Sequence, residues 1–155
     1  HELRPLFLER MGLIEAIQYY CSELSERTGI TVHVMAQEVP VPVGERVKEQ
    51  CFLSFREALS NAIKHANAAR IDVAVEVLGT ESLILRVADD GVGFDTVQMF
   101  NSPSGLGLAM IGERAESIGG RAQIHSTRGM GTRVTITVPL GLDLTATQGA
   151  QGLVE

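Results

Sequence analysis

The feature of this sequence that most constrains its fold is an ordered alternation between two hydrophobic periodicities, one of 3.6 residues and one of two residues. The 3.6-residue rhythm predicts helices over three segments, 6–27, 45–67 and 108–118. The two-residue rhythm predicts strands over five segments, 30–36, 71–78, 82–88, 121–126 and 133–139. This order is typical of an α+β fold, and we expect a two-layer α/β sandwich. Its sheet should be mixed but largely antiparallel, with about five strands covered on one face by about three helices.

The composition fits a globular chain, since 45% of the 155 residues are hydrophobic and 21% are charged. A net charge of −6 argues against a nucleic-acid partner and against contact with an anionic membrane. No stretch reaches the roughly 20 apolar residues that span a bilayer, and we expect a cytoplasmic location. Cys21 and Cys51 lack the spacing of zinc ligands and are predicted to be reduced and buried.

Four polar side chains are predicted to share one face of the second helix: Glu57, Asn61, Lys64 and His65. A polar stripe of this kind often does no more than face solvent. Asn61, however, has a poor helix propensity, and an amide oxygen beside a carboxylate suits Mg²⁺, which takes few protein ligands. The stripe is therefore either a solvated face or part of a site for a metal and phosphates.

The end of the strand at 82–88 carries two neighbouring carboxylates that are expected to point in opposite directions. Leu83, Leu85 and Val87 face the core, so the two-residue period directs Asp89 inward and Asp90 outward. A carboxylate at the rim of a buried face needs a hydrogen-bond donor, and the exocyclic amine of adenine would supply one. The alternative is a simple turn, since Asp-Gly dipeptides are common in turns.

Paired glycines occur at two points where a backbone could approach a ligand. Gly91 and Gly93 would let the chain lie close to a flat ring. Gly105 and Gly107 precede a predicted helix, whose free N–H groups and positive dipole end suit phosphates. Either pair could instead serve close packing alone. The sequence has no G-x-x-x-x-G-K-[ST] phosphate loop and no complete dinucleotide fingerprint, so it indicates neither of those folds.

Four segments, taken in order, resemble the sequence boxes of bacterial sensor histidine kinases. Residues 55–66 resemble the N box, 89–94 the D-x-G-x-G box, 105–115 the second glycine box of the nitrate-sensor-like subfamily, and 129–132 the last box. These kinases belong to the Bergerat-fold ATPases, which also include gyrase, the heat-shock chaperones and the mismatch-repair ATPases. The resemblance runs from about residue 28 to residue 140 and implies the same fold.

The resemblance also implies a role for each matching residue, with ATP and Mg²⁺ as cofactors. Asn61 would hold Mg²⁺, and Glu57 would hold a Mg²⁺-bound water or help to activate the acceptor. Asp89 would accept a hydrogen bond from the adenine amine. The further ATP-binding residues implied by the boxes are Lys64 and His65 at the phosphates, Gly91 and Gly93 beneath the ring, Gly105, Leu106, Gly107 and Leu108 at a lid, and Thr132 in a water network at the adenine.

The function implied by the resemblance is that of a two-component sensor kinase. Residues 28–140 would be its ATP-binding catalytic domain, which donates the γ-phosphoryl group to a histidine on a separate dimerisation domain, from where it passes to a response regulator. Residues 1–27 would be the end of a dimerisation helix and a link, and 141–155 a disordered tail. We expect this fragment to be monomeric and the full-length kinase to be dimeric.

Three other functions are left open by the residues: a serine kinase of the anti-sigma type, a non-catalytic nucleotide-binding module, and a purely structural α+β module. The run Lys64-His65-Ala66 and the Gly-Glu-Arg-Ala run at 112–115 favour the sensor kinase. The presence of both Asn61 and Asp89 argues against a non-catalytic module.

His1 begins a run that resembles a phosphoacceptor box, but we predict that His1 is not the acceptor. Only 28 residues separate His1 from Ile30, which is enough for one helix and not for the two antiparallel helices of an acceptor domain. The fragment should therefore bind Mg-ATP without phosphorylating itself. Residues 94–104 are flanked by glycines and are predicted to form a mobile lid.

Overall fold

The computed structural model describes residues 4–141. The helices are α1 (Leu13–Thr28), α2 (Glu45–Lys64), α3 (Thr96–Phe100) and α4 (Leu106–Glu116). The strands are β1 (Thr31–Ala36), β2 (Arg70–Leu78), β3 (Ser82–Asp89), β4 (Arg121–Ser126) and β5 (Thr132–Pro139). Two short 3₁₀ turns cover Leu6–Glu9 and Pro103–Gly105. Of the tail predicted to be disordered, only Gly141 is described, and 142–155 lie outside the described residues together with 1–3.

The five strands form one sheet in the order β1-β2-β3-β5-β4. β1 pairs with β2 in parallel, and the other three neighbouring pairs are antiparallel. The predicted hairpins β2–β3 and β4–β5 are confirmed, and so are the α+β class and the mixed, largely antiparallel sheet. Within the described part of the chain, no helix is both long and apolar enough to span a membrane.

One hydrophobic core lies between the sheet and the helices. Every second residue of the three central strands is buried in it, as the alternation predicts: Ile71, Val73, Val75, Leu83, Leu85, Val87, Val134, Ile136 and Val138. α2 contributes Phe52 and Phe55, both fully buried, and packs against β3, β5 and α4. This packing places the C-terminal half of α2 beside the end of β3 and the start of β5.

Both cysteines are buried free thiols, as predicted from their spacing. Burial raises the pKa of Cys21 and of Cys51 to about 12. A thiol with so high a pKa is protonated at neutral pH and is a poor nucleophile.

The prediction of one continuous helix over 6–27 is wrong. The structure has a 3₁₀ turn at Leu6–Glu9, and α1 begins only at Leu13, after Gly12 with an extended backbone (φ −69°, ψ 167°). The break is held by the Lys48 ammonium, which donates to the backbone oxygen of Met11 at 3.1 Å. The hydrophobic rhythm passes through the break because Leu8 packs into the same core as α1. The assignment of 1–27 to a dimerisation helix and link stays a prediction.

Two further boundaries differ from the sequence analysis. α2 ends at Lys64 and not at Asn67, which takes a left-handed backbone conformation (φ 51°). The segment 94–104 contains α3, a fourth and short helix that hydrophobic periodicity does not reveal. Asp95 caps α3 by accepting a hydrogen bond from the backbone N–H of Gln98 at 3.0 Å.

Candidate functional site

A cavity lies among α2, the end of β3, the start of β5 and the segment that leads into α4. Its walls are Ala58, Asn61, His65, Ala66, Val87, Asp89, Gly93, Phe94, Met99, Leu108, Thr132 and Val134. Six of these are predicted site residues: Asn61, His65, Asp89, Gly93, Leu108 and Thr132. The structure therefore brings all four matched segments to one cavity, although they are far apart in the sequence.

Asp89 ends β3 with its carboxylate half-buried at this cavity. Its Oδ1 accepts a hydrogen bond from the backbone N–H of Gly91 at 2.8 Å, and the backbone N–H of Thr132 also bonds the carboxylate. Burial raises the pKa of the Asp89 carboxyl above its usual range, and these two N–H groups oppose the rise. A desolvated carboxylate with remaining acceptor capacity is suited to a ligand that presents N–H groups.

Asp90 points away from the cavity, so the predicted opposite directions of the two carboxylates are confirmed. Asp90 Oδ1 accepts hydrogen bonds from the backbone N–H groups of Ala69 at 2.9 Å and Arg70 at 3.0 Å. These bonds lower the pKa of the Asp90 carboxyl below its usual range. Asp90 thus fixes the start of β2 against the end of β3.

The chain that follows α2 is joined directly to the chain that follows Asp89. The backbone N–H of Val92 donates to Ala66 O at 2.7 Å, and a Cβ on Gly91 would overlap that same oxygen. A side chain at Gly91 would therefore force the segments that follow α2 and β3 apart. The structure gives Gly91 a packing role, and its predicted contact with a ring stays a prediction.

Asn61 has an unsatisfied amide at the cavity. Its Nδ2 is buried and has no hydrogen-bond partner among the described residues. A buried polar atom of this kind costs free energy unless a ligand or water supplies a partner. Asn61 also suits a site for Mg²⁺ and phosphates, because its amide offers an oxygen as a metal ligand in addition to the nitrogen. Within residues 4–141, no cluster of three or more His, Cys, Asp or Glu side chains could hold a metal on its own.

Glu57 lies against the N-terminal turn of α4. A Cβ on Gly107 would overlap Glu57 Oε1, so glycine is what allows this approach. α4 has Gly105 as its N-cap without a side-chain cap, and its first turn contains no acidic residue. The positive end of the helix dipole therefore lies beside the Glu57 carboxylate, and the free N–H groups of this turn are suited to bind anions.

Six predicted site residues do not line the cavity: Glu57, Lys64, Gly91, Gly105, Leu106 and Gly107. Lys64 is exposed at the last turn of α2, and Leu106 is 67% exposed. Gly105 is packed, because a Cβ there would overlap the backbone oxygen of Met99. The predicted contacts of these residues with a nucleotide stay predictions.

Sequence reasoning missed several residues of the site. Val87 and Val134 could have been found, since each lies two residues from Asp89 or Thr132 on the same strand face. Met99 could not have been found from the sequence, because its position depends on the path of the segment 94–104. Ser126 could not have been found either. Its hydroxyl oxygen lies 2.8 Å from the backbone nitrogen of Phe94 and 2.8 Å from Thr132 Oγ1.

The comparison with known families agrees with this geometry. Residues 47–142, more than half of the chain, match the family described as histidine kinase-, DNA gyrase B- and HSP90-like ATPase. The chain belongs to this ATPase family. The match contains all four segments singled out in the sequence, and the predicted family is confirmed.

Two relatives of this ATPase are sensor histidine kinases by name. An uncharacterized sensor-like histidine kinase from Chloroflexus aurantiacus is 40% identical over 144 residues, which are 90% of this chain and 24% of that protein. Sensor histidine kinase LiaS from Bacillus subtilis is 33% identical over 138 residues, which are 89% of this chain and 37% of that protein. The chain therefore spans only 24% and 37% of the lengths of these two relatives.

Solved structures show the same architecture. The histidine kinase domain of the blue-light activated histidine kinase EL346 from Erythrobacter litoralis has a TM-score of 0.70 and 26% identity, covering 84% of this chain and 62% of that chain. The ATP-binding domain of PrrB from Mycobacterium tuberculosis has a TM-score of 0.65 and 21% identity, covering 85% of this chain and 96% of that chain. The predicted histidine-kinase ATPase fold is confirmed.

Proposed function

We propose that this ATPase domain binds Mg-ATP and donates the γ-phosphoryl group to a histidine on a separate dimerisation domain in two-component signalling. One observation carries the proposal: the Asn61 amide nitrogen is buried without a partner among the described residues, at a cavity that also presents Asp89 and Thr132. Among the described residues this N–H group has no acceptor, and a phosphate oxygen of a bound nucleotide would accept a hydrogen bond from it.

Asp89 is the residue we assign to the base. Its carboxylate is half-buried and keeps lone pairs free beyond the bonds from the backbone N–H groups of Gly91 and Thr132. The exocyclic amine of adenine presents two N–H groups, which is the complement of such a carboxylate. The apolar walls formed by Ala58, Val87 and Val134 would cover the faces of the ring.

Asn61, Glu57 and the N-terminus of α4 are the groups we assign to the metal and the phosphates. When bound, Mg²⁺ would neutralise charge on the phosphate oxygens. Asn61 would supply an amide oxygen to it, and Glu57 would hold one of its waters. The free N–H groups of the first turn of α4 would bind phosphate oxygens. Lys64 and His65, at the end of α2, would add positive charge on the same side.

This domain would contribute to the transfer mainly by positioning the γ-phosphoryl group against the acceptor, and not by forming a covalent bond of its own. The bond between the γ-phosphorus and the β–γ bridging oxygen would break as a bond to the acceptor imidazole nitrogen forms, and ADP would leave. The imidazole loses the proton of its other nitrogen, and the Glu57 carboxylate would accept it. We infer that the acceptor histidine lies on another domain of the longer protein and that the phosphoryl group then passes to a response regulator. We also infer that both transfers take place in the cytoplasm.

The experiment that tests this proposal compares the isolated domain with the same domain supplied with the dimerisation domain of its full-length protein. With ATP and Mg²⁺, we expect acid-labile, base-stable phosphate on the dimerisation domain and none on the isolated fragment. An Asp89→Asn variant should transfer poorly, while Asp90→Asn, its matched control, should transfer normally. Phosphate on the isolated fragment would contradict the proposed acceptor, and failure to bind ATP would contradict the whole proposal.

A further inference from the structure

The turn between β4 and β5, residues 127–131, packs closely against the chain that enters the predicted lid. The backbone N–H of Gly129 donates to Val92 O at 2.6 Å. Gly93, the next residue, has a left-handed backbone (φ 64°), and a Cβ there would overlap the backbone oxygen of Thr127. The entry into the lid is therefore fixed to the β4–β5 turn through backbone contacts.

The same turn is also fixed to the end of β3. A Cβ on Gly131 would overlap the backbone oxygen of Asp89, so the two chains touch without a side chain between them. Beside this contact, the backbone N–H of Phe94 donates to the hydroxyl of Ser126 at 2.8 Å. The β4–β5 turn therefore has a fixed position relative to both the cavity and the first residue of the lid.

The helix of the lid, α3, is held to this turn by side chains. α3 has five residues and none of them is buried. The Arg128 guanidinium donates to Gln98 Oε1 of α3, and both of these residues are exposed. Met99, the neighbour of Gln98, lines the cavity and packs partly against the core. Arg128 therefore joins the fixed turn to α3 directly beside a wall of the cavity.

We propose that Arg128 is a positioning residue that acts through Gln98 to hold α3, so that Met99 lies at the cavity before a nucleotide binds. The inference rests on the proposed function, because it concerns the affinity of the same cavity for its nucleotide. A segment that is already ordered loses less conformational entropy on binding than one that the ligand must order. Loss of Arg128 should therefore release α3 and weaken nucleotide binding.

Cleavage of the nucleotide-free protein by chymotrypsin measures how often α3 leaves this position. Chymotrypsin cuts after large apolar residues, and Phe100, the last residue of α3, is 45% exposed. When opening is fast relative to cleavage, the rate follows the population of the open form. Arg128→Ala should raise the rate of cleavage after Phe100 about twofold to fivefold, the range expected for one exposed pair.

Gln98→Glu should have the opposite effect, which damage to the fold would not produce. A carboxylate at position 98 would form a charge-assisted pair with the Arg128 guanidinium, so cleavage after Phe100 should slow. A carboxylate in the first turn of α3 also stabilises this helix by itself. The same substitution is therefore made in Arg128→Ala as well, and the slowing should be larger when Arg128 is present.

The second readout is the affinity of the whole chain for ADP with Mg²⁺, measured by calorimetry. Arg128→Ala should bind ADP about twofold to fivefold more weakly than the wild type. Arg121→Ala is the matched control, since Arg121 is an exposed arginine at the other end of β4, about 17 Å along the strand from Ser126. It should change neither the cleavage rate nor the affinity, and both variants should keep the melting temperature of the wild type.

The outcomes separate this inference from the proposed function. An unchanged cleavage rate in Arg128→Ala, or an equal rise in Arg121→Ala, would overturn the contact between Arg128 and α3. Faster cleavage with an unchanged ADP affinity would overturn the positioning role and leave the proposed function intact. A wild type that binds no ADP would overturn the proposed function, while cleavage of the nucleotide-free protein would still decide whether Arg128 holds α3.

Discussion

At the scale of single residues, the two adjacent carboxylates at the end of β3 have opposite surroundings. Asp89 is half-buried at the cavity, whereas Asp90 is exposed and holds two backbone N–H groups of the chain entering β2. Asp89→Asn should cost roughly 2 kcal/mol or more of ADP affinity, because a charged acceptor is lost. Asp90→Asn should leave the affinity unchanged, since an amide oxygen can still accept both N–H groups. Equal losses of ADP affinity in the two variants, measured by calorimetric titration, would contradict the assignment of Asp89 to the base.

The same two residues give a prediction about pH. Burial raises the pKa of Asp89, so a proton should displace the nucleotide amine at a higher pH than for an ordinary aspartate. ADP affinity should therefore fall on acidification in the wild type and much less in Asp89→Asn.

The two carboxyl groups change the free energy of unfolding in opposite directions as the pH changes. Asp90, with its lowered pKa, stabilises the fold above its unfolded pKa and loses this effect as the pH falls through its folded value. Ionisation of Asp89 instead lowers stability as the pH rises through its raised pKa.

Calorimetry of both proteins across this acidic range, with melting temperatures measured in parallel, checks the pH prediction. Parallel affinity profiles for the wild type and Asp89→Asn would show that another group controls the pH dependence of binding.

At the scale of elements, the segment 94–104 is attached to the rest of the domain by hydrogen bonds at Phe94 and Gln98 and by partial packing of Phe94 and Met99 against the core. Its first residue, Phe94, donates to Ser126, and Arg128 of the β4–β5 turn donates to Gln98 of α3. α3 has only five residues, none of them buried. A nucleotide in the cavity would add contacts to this segment through Phe94 and Met99. Proteolytic cleavage within 94–104 should therefore slow at saturating ATP analogue, and an unchanged cleavage rate would refute the predicted lid.

The elements also show how far the sequence could predict the structure. Strand alternation predicted both hairpins and the inward direction of Asp89, because the two-residue period is a direct property of the backbone. The same kind of pattern failed at 6–27, where core contacts continue across the break at Gly12. The site was predictable where residues follow a strand or helix period. It was not predictable at Ser126 and Met99, whose positions depend on how distant segments meet.

At the scale of the whole molecule, the folded unit extends beyond the residues that match the family. Leu8 lies outside 47–142, yet it is fully buried in the common core, and the neighbouring Phe7 ring lies 5.5 Å from Phe52. Leu8→Ala should lower the free energy of unfolding by about 2–5 kcal/mol, as for other buried leucines. Leu6→Ala is the matched control, since Leu6 is 85% exposed, and urea denaturation should find it almost neutral. Equal stability of the two variants would show that this segment is not part of the cooperative fold.

The central claim is that this cavity binds Mg-ATP through Asn61 and Asp89. The most direct measurement is a calorimetric titration of the wild type and of Asn61→Leu with ATP, each with and without Mg²⁺. We expect Mg²⁺ to tighten ATP binding in the wild type and to have no effect in Asn61→Leu. The melting temperature of the variant should not fall, because the Asn61 amide nitrogen has no hydrogen-bond partner among the described residues to lose. An unfolded Asn61→Leu domain, or one whose ATP binding still responds fully to Mg²⁺, would contradict the account.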